Sequence, residues 1–260
     1  MRIYLRSAFA IFLALFISTC GGGGDDGGGG GPWTKLEGTS LTDQGNGVAV
    51  DSSGNIYITG STMGGLDGNA NAGNSDIFLI KYNSAGTKQW TRQLGTSATD
   101  TGNGVAVDRS GNVYVTGATF AGLDGNTNAG DSDIFLVKYD SAGTKQWTRQ
   151  LGTTTTDDGY DVALDSGGNV YVTGSTLGGL DGNTNAGDSD IFLVKYDSAG
   201  TKQWTRQLGT TATDFGNGVA LDSGGNAYIT GYAGGGLDGI RFIGGGDIFV
   251  LKYSSSGVKQ

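Results

Sequence analysis

Through the second quarter of the chain, short apolar runs alternate with polar gaps that each end in glycine. Gly104–Asp108 (GVAVD) and Asn112–Gly117 (NVYVTG) are separated by Arg109-Ser110-Gly111. Asp133–Tyr139 (DIFLVKY) and Thr144–Leu151 (TKQWTRQL) are separated by Asp140-Ser141-Ala142-Gly143. The runs are short and rich in β-branched and aromatic residues, which predicts strands rather than helices. Both gaps have the form of a type I turn closed by a glycine in the left-handed region, a common hairpin link. Val105-Ala106-Val107 and Ile134-Phe135-Leu136-Val137 are apolar on both strand faces. Such strands need one sheet above them and another below.

The pattern repeats every 57 residues: Trp33, Trp90, Trp147 and Trp204 keep that spacing, as do Asp51, Asp108, Asp165 and Asp222. Residues 33–260 divide without a gap into units 33–89, 90–146, 147–203 and 204–260. Four-stranded sheets stacked radially satisfy strands buried on both faces, so the expected fold is all-β: a β-propeller of four 57-residue, four-stranded blades. A β-solenoid is the competing architecture. Residue 33 opens within a fourth strand (WTKLEG) and residue 260 stops just before the next Trp would fall. The N-terminal strand is therefore expected to complete the last blade and close the ring, leaving no free edge. The alternatives are two chains sharing an eight-bladed ring, or a fragment of a longer array.

The pattern D-x-x-G-N-x-Y-x-T-G (Asp108 to Gly117), followed by D-I-F-L-V-K-Y-D-x-x-G-x-x-x-W (Asp133 to Trp147), resembles the SBBP-type bacterial beta-propeller repeat. The resemblance implies a propeller of a secreted or surface protein, and implies no particular activity. The family is usually associated with more than four blades.

Composition narrows the function. The chain has 52 Gly, no His, one Cys (Cys20) and a single Glu (Glu37), so Asp dominates a net charge of −9. A Ser-His-Asp triad, a Cys-His dyad, a His/Cys zinc site and an internal disulfide are all excluded. The negative charge argues against nucleic acid as a partner. Residues 1–19 read as a signal peptide, with Arg2 and Arg6 ahead of the apolar stretch Ser7–Ile17. It runs into Cys20 and a glycine-rich stretch, as a bacterial lipoprotein signal does, although Thr19 stands where Gly or Ala is usual. Cys20 would carry the acyl chains, palmitate among them. Residues 20–32 would then be a flexible tether reaching roughly 18 Å. The expected location is extracytoplasmic, on the outer membrane if the cell is Gram-negative.

Two groups of residues could carry chemistry. The loop from second to third strand reads Asp124-Gly-Asn126-Thr-Asn128-Ala-Gly-Asp131-Ser-Asp133, oxygen-bearing side chains at a spacing that suits calcium. The third unit repeats it (Asp181, Asn183, Asn185, Asp188, Asp190), the first weakens it (Asp67, Asn69, Asn71, Asn74, Asp76), and the fourth replaces it with Ile240, Arg241 and Phe242. The alternative reading is a turn-rich loop whose side chains cap their own backbone. Asp157-Asp158 is the only adjacent acid pair in the repeats. The repeated Trp is expected to pack between blades. Together these features point to a non-catalytic binding or adhesion scaffold for a surface protein or polysaccharide, with its ligands on the acidic face carrying those loops. The rivals are a glycan-active hydrolase or lyase with Asp at the ring centre, and a purely structural module.

Overall fold

In the computed structural model the described residues are 33–260. The predicted signal peptide, Cys20 and the tether lie outside them. Fifteen strands form four antiparallel meanders. The first blade is β1 (Asp43–Val50), β2 (Ile56–Thr62), β3 (Asp76–Tyr82) and β4 (Lys88–Leu94). The second is β5 (Asp100–Val107), β6 (Val113–Thr119), β7 (Asp133–Tyr139) and β8 (Lys145–Leu151). The third is β9 (Asp157–Leu164), β10 (Val170–Thr176), β11 (Asp190–Tyr196) and β12 (Lys202–Leu208). The fourth is β13 (Asp214–Leu221), β14 (Ala227–Ala233) and β15 (Asp247–Tyr253).

The hairpin chemistry follows the sequence. Gly111 donates its N–H to Asp108 O at 3.0 Å with φ 78°, and Gly143 does the same to Asp140 O with φ 79°. Each first strand begins four residues earlier than its apolar run. In β5 the extra residues (Asp100 to Asn103) contain a bulge between Gly102 and Gly104, which hides the strand period.

Burial on both faces is real. Ile134, Phe135, Leu136 and Val137 of β7 are all essentially inaccessible. One core joins Tyr57, Ile77 and Leu79 of the first blade to Val105, Val113, Val115 and Phe135 of the second, and the next two junctions repeat it. The Trp on each fourth strand also spans a junction. Trp90 lies 6.2 Å from the Tyr57 ring, and a Cβ at Gly143 of the next blade would come within 3.0 Å of it. Arg92 lies 5.2 Å over the Trp90 ring and donates to Gly143 O at 2.6 Å.

The expected ring closure is not what these residues do. The fourth blade has three strands, and residues 33–42 do not pair with β15. Instead Trp33 packs 6.2 Å from Tyr82 of the first blade, and the Tyr82 hydroxyl donates to Glu37 at 2.8 Å. Val48 in β1 is 67% exposed, whereas its counterpart Val105 is 8% exposed. Inner strands pack against inner strands, and the outer-strand Trp90 reaches the turn of the next blade at Gly143. Three such junctions join the four blades, and both end faces stay uncovered.

Candidate functional site

The loops between second and third strands start with a 3-10 turn, Leu66–Gly68, Leu123–Gly125, Leu180–Gly182 or Leu237–Gly239. Its central Asp has a positive φ in every blade: 53° at Asp67, 54° at Asp124, 55° at Asp181 and 57° at Asp238. The left-handed region costs a side-chain-bearing residue about 1–2 kcal/mol, and Asp is among the few that visit it. The backbone twist swings the carboxylate onto the fourth strand. Asp67 pairs with Lys88 at 2.6 Å, and Asp124, Asp181 and Asp238 pair with Lys145, Lys202 and Lys259. Thr91, Thr148 and Thr205 donate to the second oxygen of the first three. Hydrogen bonds from Lys88 and Thr91 hold the Asp67 carboxyl below its ordinary pKa.

The other candidate calcium ligands are scattered. Asn69, Asn126 and Asn183 turn their amide N–H groups back onto Leu66 O, Leu123 O and Leu180 O. Asn71, Asn128 and Asn185 donate to Gly73 O, Gly130 O and Gly187 O. Asn74, Asp131 and Asp188 point to solvent. Asp76, Asp133 and Asp190 enter the blade, where each accepts from a loop amide (Ala72, Ala129, Ala186) and a glutamine (Gln93, Gln150, Gln207). Among the described residues no group of three or more acids, His or Cys gathers as a metal centre would need. Among the described residues, the second oxygen of each of those three buried acids has no hydrogen-bond partner. It rests on a glycine: a Cβ at Gly152 would lie 2.0 Å from Asp133 Oδ1, with Gly95 and Gly209 equivalent.

The adjacent pair Asp157-Asp158 is divided by the strand itself, since neighbours in a strand face opposite sides. Asp157 is the third copy of a repeated anchor. It accepts from Thr176 Oγ1 and from Thr153 N, as Asp100 accepts from Thr119 and Thr96. Asp158 accepts from Ser132 Oγ at 3.0 Å. Burial raises both carboxyls, and neighbouring Asp133 adds to the rise at Asp157. The opposed orientation rules out a matched acid–nucleophile pair, which requires both carboxyls at one bond.

Alignment of the four units would have revealed two further residues. Where other first strands carry Asn-Gly, β9 carries Tyr160-Asp161. Asn46 and Asn103 tie neighbouring inner strands by donating to Gly102 O at 2.9 Å and Gly159 O at 2.8 Å. Asp161 makes the corresponding tie in reverse, accepting from Val219 N at 2.9 Å, and burial raises its carboxyl. The Tyr160 hydroxyl shares a 2.8 Å hydrogen bond with Ser175. These substitutions make the third blade distinct, and every polar group in them is engaged structurally.

A cavity of about 500 Å³ opens on the face opposite the expected one. The first hairpin turns of blades two to four line it, with Asp108, Arg109, Tyr114, Lys138, Asp165 and Asp222 among its residues. Its acids are turn caps: Asp108 accepts from Ser110 N at 2.8 Å and from Asn112 N at 2.9 Å. A second cavity, about 440 Å³, runs from the fourth-blade loop at Ile240, Arg241, Phe242 and Ile243 onto the exposed face of β15 at Ile248 and Val250. Ile240 and Ile243 are 73% and 89% exposed where the other blades carry Asn and Ala. This is the apolar surface that breaks the repeat.

Comparison with known proteins agrees with the repeat. The family described as SBBP, a beta-propeller repeat, matches residues 33–67, 89–121, 146–181 and 203–238. The chain is 29% identical over 62% of its length to the regulatory protein FlaEY of Caulobacter vibrioides, covering 19% of that protein. It is 35% identical over 44% of its length to the WD repeat-containing protein L264 of Acanthamoeba polyphaga mimivirus, covering 9% of it. The chain thus spans a fifth or less of these relatives' length. A gluconolactonase structure from Xanthomonas campestris superposes with a TM-score of 0.45 at 15% identity, covering 83% of this chain and 60% of the other. A likeness at that level does not bear on activity.

Proposed function

Because the chain belongs to the SBBP beta-propeller repeat family, we propose that it serves as a lipid-anchored, extracytoplasmic binding scaffold. Cys20, the only cysteine, would carry the anchor after removal of residues 1–19. The observation that carries the binding role is the fourth-blade loop. All four loops keep the Lys–Asp pair, and three of near-identical sequence are closed further by asparagine turns; the fourth exchanges those asparagines for Ile240 and Phe242, with Arg241 between them, beside a cavity. An exposed apolar patch rimmed by polar residues marks an interaction site. The surrounding Asp-rich face supports a surface protein or a polysaccharide as the ligand rather than a nucleic acid.

The scaffold is read as non-catalytic because the inner-strand carboxylates are committed to hydroxyl and amide donors within the fold. The test compares the wild-type chain with a loop carrying Ile240→Asn, Phe242→Asn and Ile243→Ala, the residues of blade two. On arrays of bacterial glycans and envelope proteins, the wild type is expected to bind a defined set, and the exchanged loop to lose at least tenfold in affinity. Equal binding by both would defeat this reading. In bacterial cells expressing the chain, Cys20→Ser is expected to abolish palmitate labelling.

A further inference from the structure

The two end faces of the blade stack are the two halves of one interface. Within the chain that interface occurs three times. The third strand of one blade buries Ile77, Ile134 or Ile191, and Leu79, Leu136 or Leu193, against the first strand of the next, where Val105, Val162 and Val219 are 8%, 5% and 9% exposed. On the fourth blade the corresponding Ile248 and Val250 are 92% and 74% exposed. On the first blade Val48 and Val50 are open to solvent in the same way.

We infer that a second copy of this chain covers both ends, its first blade docking on the fourth blade of its partner and the reverse, so that two chains close one eight-bladed ring. The polar positions favour this occupant. Lys81, Lys138 and Lys195 each donate to the turn of the next blade, at Ser141 O, Ser198 O and Ser255 O. Lys252 is the fourth of the series, and the equivalent acceptor is Ser84 O at the start of another copy. Asn217 likewise follows Asn46 and Asn103, and its equivalent acceptor is Gly45 O.

The strand count agrees. Residues 33–38 (WTKLEG) correspond to 90–95 (WTRQLG). Trp33 sits against Gly86 as Trp90, Trp147 and Trp204 sit against Gly143, Gly200 and Gly257. The segment thus already holds the place of an outer strand from a preceding blade. The neighbour it lacks is a third strand, and β15 is a third strand with no outer strand beside it among the described residues. Pairing the two adds a strand to an exposed edge, a recurring mode of recognition. Heterologous faces of this kind either close into a ring or run on as a filament. Two four-blade arcs make eight, within the usual propeller range.

Glycine at the junction supplies the decisive variant. A Cβ at Gly47 or Gly104 would strike the next blade, 2.8 Å from Asn103 O or 2.9 Å from Asp161 Cα. At Gly218 the nearest atoms are 3.7 Å and 3.8 Å away, so a single chain accommodates a side chain there. A docked copy would bring Asn46 O into that space. The intact protein in mild detergent is expected to show, by light scattering corrected for detergent, twice the mass of one chain. Gly218→Val and the exposed-site variant Val250→Asp are each expected to halve that mass while keeping the far-ultraviolet spectrum of the wild type. A single-chain mass for the wild type at micromolar concentration overturns the inference. So does a ladder of higher multiples, and so does a double mass unchanged in both variants.

Discussion

Asp124 and its counterparts set the tone at the level of single residues. A left-handed backbone at a residue with a side chain is retained because the carboxylate gains a lysine and a threonine there. Asp124→Ala removes both partners and keeps the strain, and is expected to lower stability by about 2 kcal/mol in urea titration. Asp124→Gly loses the same partners but fits the backbone, and should lie about 1 kcal/mol above the alanine variant. Acids on opposite sides of the ordinary pKa respond to pH in opposite senses. Asp158 is raised by burial, so its contribution is favourable in acid and is lost as pH rises through its folded pKa. Asp158→Asn is therefore expected to be more stable than wild type at pH 7, the gap closing in acid. Asp67 is lowered by Lys88 and Thr91, so its contribution is present at neutral pH and lost as pH falls. Asp67→Asn should be the weaker protein at pH 7 and converge on wild type in acid. Urea midpoints across pH distinguish the two slopes.

At the scale of strands and loops, the hairpin turns and the doubly buried strands were legible, because each depends on residues a few positions apart. The bulged starts of β1, β5, β9 and β13 were not, since neither Gly-Asn-Gly nor the Gly159-Tyr160-Asp161 of β9 carries an apolar alternation to read. The second-to-third-strand loop shows a deeper limit. Its oxygen spacing matches a calcium loop, but spacing does not report the backbone rotation at Asp124, which takes the first acid to the fourth strand while Asp133 enters the blade. Turn capping accounts for the same composition. If these loops are complete without an ion, excess chelator should leave the melting temperature of the full chain unchanged. A fall of several degrees, restored by calcium, would reinstate the cation. Tyr160-Asp161 carries no local motif; its meaning lies in departure from the three other units.

For the whole molecule, the period of 57 residues was enough to give blades and their order, since each blade must bury both faces against a neighbour. It did not give the angle between blades, and that angle decides whether four units meet. That depends on side chains that meet only across a junction, such as Trp90 against the Gly143 turn and Phe135 in the shared core. Because each end face repeats the chemistry of an interior junction, its identity does not depend on how many units lie between. Copying or deleting one 57-residue unit would keep the two end faces complementary while changing the arc, and with it the number of chains needed to close a ring. Such a gene can vary its blade number by unequal exchange without having to reinvent a surface.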